Sequence, residues 1–93
     1  MSTVLIVDDS KPVREALWVV LNAEGFGNCV EAADGKTAIE QAKQINPDLV
    51  MLHYMMPGMD GIQTAYEIRQ FAIGTKIIFY SVYFVCIETL ARM

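Results

Sequence analysis

Apolar positions fall into two alternating rhythms along the chain. Residues 3–7, Thr-Val-Leu-Ile-Val, form a short continuous apolar run rich in β-branched side chains, which predicts a strand buried on both faces of a parallel sheet. The run stops at Asp8-Asp9-Ser10, and Ser10 carries the hydroxyl of a helix N-cap. Val13, Ala16, Leu17, Val20 and Leu21 then recur at i, i+3, i+4, i+7 and i+8, the spacing of one apolar helical stripe, which Gly25 ends.

Asn28 to Ala32 alternates in polarity, as an edge strand does. Asp34-Gly35 opens a second helix that buries Ala38, Ile39, Ala42 and Ile45, and Pro47 closes it. Residues 48–52, Asp-Leu-Val-Met-Leu, read as a third strand, followed by a loop containing Pro57, Gly58 and Gly61. Asp60 and Gln63 have the spacing of a capping box for a third helix through Ile62, Ala65, Ile68 and Phe71. Lys76 to Tyr80 is the fourth strand, and Phe84 to Met93 is expected as a fourth helix. The order βαβαβαβα predicts an α/β fold, a doubly wound parallel sheet with helices on both faces and its site at the carboxyl ends of the strands.

A chain of 93 residues, 54% hydrophobic, has room for one domain, 1–93. Its formal charge of -4, with seven scattered Lys and Arg, argues against a nucleic-acid surface. The amino terminus lacks the features of a secretory signal, so a cytoplasmic location is the default expectation. Ile77 to Ile87 is shorter than the roughly 18–20 residues of a membrane span. Cys29 and Cys86 are too few and too separated for a disulfide framework and are expected as buried thiols.

In this topology the ends of the first, third and fourth strands meet at one rim, which brings Asp8, Asp9, His53 and Ser81 together. Two like charges 4 Å apart repel by about 4 kcal/mol at an effective dielectric of 20, so the acidic pair invites a cation. A plainer role for the pair is to complement the dipole of the helix that follows, worth a few tenths to about 1 kcal/mol. Ser81 could equally be a strand-end hydroxyl bonded to backbone.

The stretches VLIVDDS, DLVMLHYMMPGMDG and IIFYS together resemble the two-component response-regulator receiver domain, over nearly the whole chain. The resemblance implies a flavodoxin-like sheet, truncated here after the fourth βα unit. It also implies a signalling module rather than an enzyme, with a histidine kinase as partner. By position, Asp8 and Asp9 match the acidic pair that holds Mg2+, Met55 the residue whose carbonyl also meets the metal, and Ser81 the hydroxyl switch.

His53 stands where the family has its phospho-accepting aspartate. A carboxylate oxygen attacks phosphorus while magnesium neutralises developing charge; histidine supplies no oxygen, so ordinary phosphotransfer is expected to fail and Mg2+ binding to be weakened. With Asp8 and Asp9 the imidazole could instead pair with a carboxylate, or form a mixed site for zinc or manganese. The family also continues into a fifth strand, bearing a lysine, and a fifth helix, and the chain is expected to lack all three.

Their loss would bare the edge of the fourth strand, so a longer strand, an exchanged segment or pairing with a second copy is expected to cover it, with a homo-oligomer as the consequence. Tyr80, Tyr83 and Phe84 are candidates for an interaction surface, although aromatic residues there also suit a core. Two functions follow: a receiver impaired at its acceptor, or a phosphorylation-independent interaction module on the same fold.

Overall fold

The computed structural model describes residues 2–56, 58–81 and 85–89, the last stretch by its backbone alone. Eight elements follow one another: β1 (Thr3–Val7), α1 (Lys11–Ala23), β2 (Asn28–Ala32), α2 (Gly35–Ile45), β3 (Leu49–His53), α3 (Gly61–Arg69), β4 (Lys76–Tyr80) and β5 (Val85–Thr89). They form one sheet in the order β2-β1-β3-β4-β5. The first four strands in that order are parallel, and β5 runs antiparallel to β4. From β1 the chain moves outward to β2 and then crosses back to β3. The carboxyl ends of β1 and β3 therefore flank the switch point, where doubly wound sheets place their sites.

Side chains of successive strand residues point to opposite faces, so each strand feeds two cores. Leu5, Val7, Val50, Leu52 and Ile77 pack with Ala38, Ala42, Ala65 and Ile68 of α2 and α3. Val4, Ile6, Leu49, Met51 and Tyr80 face the other way, toward Val13, Leu17 and Leu21 of α1. This explains why β1 and β3 read as continuous apolar runs: neither face is available to water.

Local signals for the helix ends are used as the sequence suggests. The Ser10 hydroxyl accepts from the Val13 amide at 3.4 Å, and Asp34 from the Thr37 amide at 2.7 Å. At the end of α1, Gly25 adopts φ +98° and donates to the Asn22 carbonyl, while the Phe26 amide donates to Leu21, the double closure of a Schellman turn. Only half of the anticipated capping box forms: Asp60 accepts from the Gln63 amide at 2.8 Å, but the Gln63 side chain turns outward to Glu67.

Three expectations need correction. The stripe of α1 is narrower than its spacing suggests, because Ala16 and Val20 are exposed, Val20 by 58%, and only Val13, Leu17 and Leu21 reach the sheet. Phe71 lies beyond the end of α3 and is exposed, as is Ile62. Residues 85–89 form a strand rather than the body of a fourth helix, and residues 84 and 90–93 lie outside the described ones. Val85-Cys-Ile has the β-branched content of a strand, and β4 otherwise ends the sheet with unpaired N–H and C=O groups. Tyr80↔Val85 and Phe79↔Cys86 supply those partners within the chain, so the covering segment is its own. Among the described residues no helix is long and apolar enough to cross a membrane. Cys29 is half-buried, and burial together with the nearby Glu31 charge holds its thiol above the ordinary range.

The Asp34 cap generates a pH prediction. Hydrogen bonds from the Thr37 backbone and side chain hold the Asp34 carboxyl below its usual value. The folded pKa lies under the unfolded one, so the contribution is present above about pH 4 and is lost as pH falls through the lowered folded value. Asp34→Ala should lower unfolding free energy at pH 7 by about 1 kcal/mol in urea titrations. The gap to the parent should close on acidification.

Candidate functional site

β1 delivers Asp8 and Asp9 to the rim, β3 ends on His53, and β4 ends on Tyr80 with Ser81 immediately after. His53 sits opposite Tyr80 in the β3/β4 register. Strand parity puts Asp8 on the same face as Val4 and Ile6, the face that Tyr80 also occupies. The three groups therefore converge on the α1 side of the sheet.

Asp8 is 2% exposed, and each of its carboxylate oxygens accepts a hydrogen bond from the chain. Oδ1 accepts from the Ser10 amide at 2.7 Å, and Oδ2 accepts from the Tyr80 hydroxyl at 2.7 Å. The same hydroxyl lies 3.4 Å from the Val7 carbonyl. Neighbouring strands are about 4.8 Å apart, so β4 stands about 10 Å from β1 and only a long side chain can bridge them across β3. Tyr80 does so, passing the His53 ring at a centroid distance of 5.6 Å and a tilt of 48°. Burial first, then the hydrogen bond and charge of Asp8, push the phenol far above its ordinary pKa, so it acts as a donor.

Asp9 is more open. Its Oδ1 lies 3.7 Å from His53 Nδ1, a charge contact when the ring is protonated but too long for a hydrogen bond. Nδ1 itself is buried, with no hydrogen-bond partner among the described residues. Below this group, Arg14 clamps the start of α1: its guanidinium donates to the Asp8 carbonyl at 2.6 Å and to Glu31 at 3.0 Å.

The acidic pair and His53 are thus together, as expected, and Ser81, half-buried, follows directly at the end of β4. Met55 is 70% exposed and lines a shallow pocket of about 170 Å³ with Tyr54, Met56, Asp60 and Ile62. Tyr80 is corrected from an interaction surface to a pocket residue: at 5% exposure it belongs to the core, because its side chain takes the inward face of β4. Tyr83 and Phe84 lie outside the described residues. Sequence reasoning missed Arg14 and the direction of Tyr80. Strand parity with Ile78 was the one available signal for Tyr80, and Arg14 gave none.

Asp8, Asp9 and His53 each offer one donor atom, all within 4.8 Å of one another. Magnesium requires near-octahedral oxygen ligands at about 2.0–2.1 Å. Two carboxylates and a ring nitrogen, with a hydrogen bond already on each Asp8 oxygen, make a poorer set for that ion than oxygens alone.

This geometry has recognisable relatives. A family model for the response regulator receiver domain matches residues 4–90, and the chain belongs to that family. It is 44% identical over 75 residues to the chemotaxis protein CheY of Halobacterium salinarum, covering 81% of this chain and 62% of that protein. It is 41% identical over 66 residues to the DNA-binding response regulator MtrA of Mycolicibacterium smegmatis, covering 71% of this chain and 28% of that one. The chain therefore spans less than two thirds of either relative. Among solved structures, the response regulator TrrA of Thermotoga maritima in complex with Mg2+-BeF superposes with a TM-score of 0.83 at 37% identity, covering 89% of this chain and 71% of that chain. The chemotaxis protein CheY4 of Vibrio cholerae gives 0.81 at 29% identity, covering 86% and 68%.

Gly61 holds the loop after β3 in place. A Cβ there would collide with the His53 carbonyl oxygen and lie 2.9 Å from that of Tyr54, and the Gly61 amide donates to the Tyr54 carbonyl at 3.1 Å. Gly61→Ala should cost on the order of 2 kcal/mol in urea unfolding. It should also shift the His53 ring signals in NMR, because the clash is with that residue's own backbone.

Proposed function

We propose that the chain is a receiver module of a two-component phosphorelay, partnered by a histidine kinase, whose acceptor position has lost the capacity for aspartyl phosphorylation. The observation that carries this reading is His53 at the end of β3, beside Asp9 and on the inward face with Asp8. Phosphoryl transfer depends on an oxygen nucleophile in line with phosphorus and on positive charge to neutralise the equatorial oxygens. Here the nucleophile is replaced by a ring nitrogen, and the acidic pair is partly committed to Tyr80 and Ser10. The module is not an enzyme with its own substrate in this reading. Mg2+ binding is weakened correspondingly.

Incubation with magnesium and a small acyl phosphate, followed by intact-mass measurement, tests this. The parent chain should gain no phosphoryl group, whereas His53→Asp should gain one. Gain by the parent would overturn the reading, and no gain by the variant would set the acceptor aside as the cause.

A second reading, a phosphorylation-independent interaction module, is favoured by the apolar side chains left open. Trp18, Val19 and Val20 are exposed on α1, and Tyr54, Met55, Ile62 and Tyr66 around the loop after β3. Surfaces of this kind mark contacts with other chains. With the β4 edge already paired to β5, that edge is not open to a second copy, and association in this reading runs through such faces. Light scattering should report a dimer or larger at micromolar concentration, and Val20→Glu should shift the population toward monomer.

A further inference from the structure

We infer that the Tyr80 hydroxyl competes with divalent cations for Asp8, as an internal partner that keeps the pocket satisfied without a metal. The inference rests on the receiver reading of this pocket and concerns what governs its cation site. A carboxylate 2% exposed at the end of an apolar strand needs donors around it, since an unpaired buried charge is strongly unfavourable. In a pocket of two acids the usual supplier of positive charge is a cation. Here the supply is internal: the Ser10 amide holds Oδ1, and the Tyr80 phenol holds Oδ2, each at 2.7 Å.

The arrangement also contains its own release. The Tyr80 hydroxyl lies 3.4 Å from the Val7 carbonyl, so rotation of the O–H about its C–O bond moves the proton from one acceptor to the other. The Asp8 carboxylate is then relieved of that hydrogen bond and can offer an oxygen to a cation beside Asp9 and His53, and the phenol proton keeps an acceptor. A cation entering beside Asp9 must drive this exchange, and its affinity is reduced by the difference between a charge-assisted hydrogen bond and a weaker one to a backbone carbonyl. Phenylalanine at position 80 would keep the ring against His53 and remove the competitor. Leucine would keep only the apolar packing.

The test is calorimetric titration of the purified chain with Mn2+ and, separately, with Mg2+, for four proteins: the parent, Tyr80→Phe, His53→Asp and the double variant. Tyr80→Phe should tighten Mn2+ binding on the order of ten-fold, in both the His53 and the His53→Asp background. Tyr66→Phe, on the exposed face of α3, should change nothing. A role confined to packing would lower thermal stability and leave metal affinity unmoved. Unchanged or weaker Mn2+ binding in Tyr80→Phe would overturn the inference. Should that variant fail to fold, Tyr80→Leu, which also removes the hydroxyl, should tighten Mn2+ binding in the same direction, and unchanged or weaker binding there would equally overturn the inference. The phosphoryl-gain experiment is independent of it: gain by the parent together with a tightened Tyr80→Phe would overturn the proposed reading and keep the competition for Asp8.

Discussion

The corner where β1, β3 and β4 end is organised around one cost, that of removing the Asp8 carboxylate from water. An ion at 2% exposure is tolerated only when donors surround it, and each neighbouring feature contributes one. Ser10, which also caps α1, gives its amide to Oδ1. Tyr80 crosses the width of two strand spacings to reach Oδ2. Arg14 returns from the first turn of α1 to the Asp8 carbonyl and ties that helix to β2 through Glu31. The start of α1, the tip of β1 and the end of β4 are held together by the demands of one buried carboxylate.

This view changes how the histidine at position 53 is understood. In a receiver domain three acids at this rim would share the repulsion of like charges, and a metal would be the natural remedy. On the proposed reading one of those three acids is replaced by His53, and Asp8 is satisfied from within by Ser10 and Tyr80. What remains is Asp9, the most open of the group, facing a ring nitrogen at 3.7 Å that has no hydrogen-bond partner among the described residues. The family membership and the chemical capability of the site are therefore separate matters. The scaffold is that of a receiver over residues 4–90, while the tip of β3 presents the imidazole of His53.

The far side of the sheet shows a related economy. A strand such as β4, rich in β-branched and aromatic side chains, attracts other strands along any unpaired edge. The segment after it carries the same composition, and the shortest route to satisfying both is for the chain to fold back antiparallel on itself as β5. Over residues 85–89 the open edge prevailed over the expected helix, because helix propensity is local and small whereas an unpaired row of amides is not.

Much of the fold was legible from residue order alone. Two-faced apolar runs at β1 and β3, the alternating edge strand β2, capping residues at Ser10, Asp34 and Asp60, and the glycine at Gly25 are short-range features, and short-range physics decides them. The convergence of Asp8, Asp9 and His53 was legible too, because strand order and strand ends suffice to place it. What the tertiary structure alone decided is where long side chains go. The Tyr80 hydroxyl meets a residue 72 positions away, and α1 exposes Ala16 and Val20. Both outcomes depend on which strand lies beside which and how far a ring can reach across it. That geometry is a property of the assembled sheet, and no local spacing encodes it.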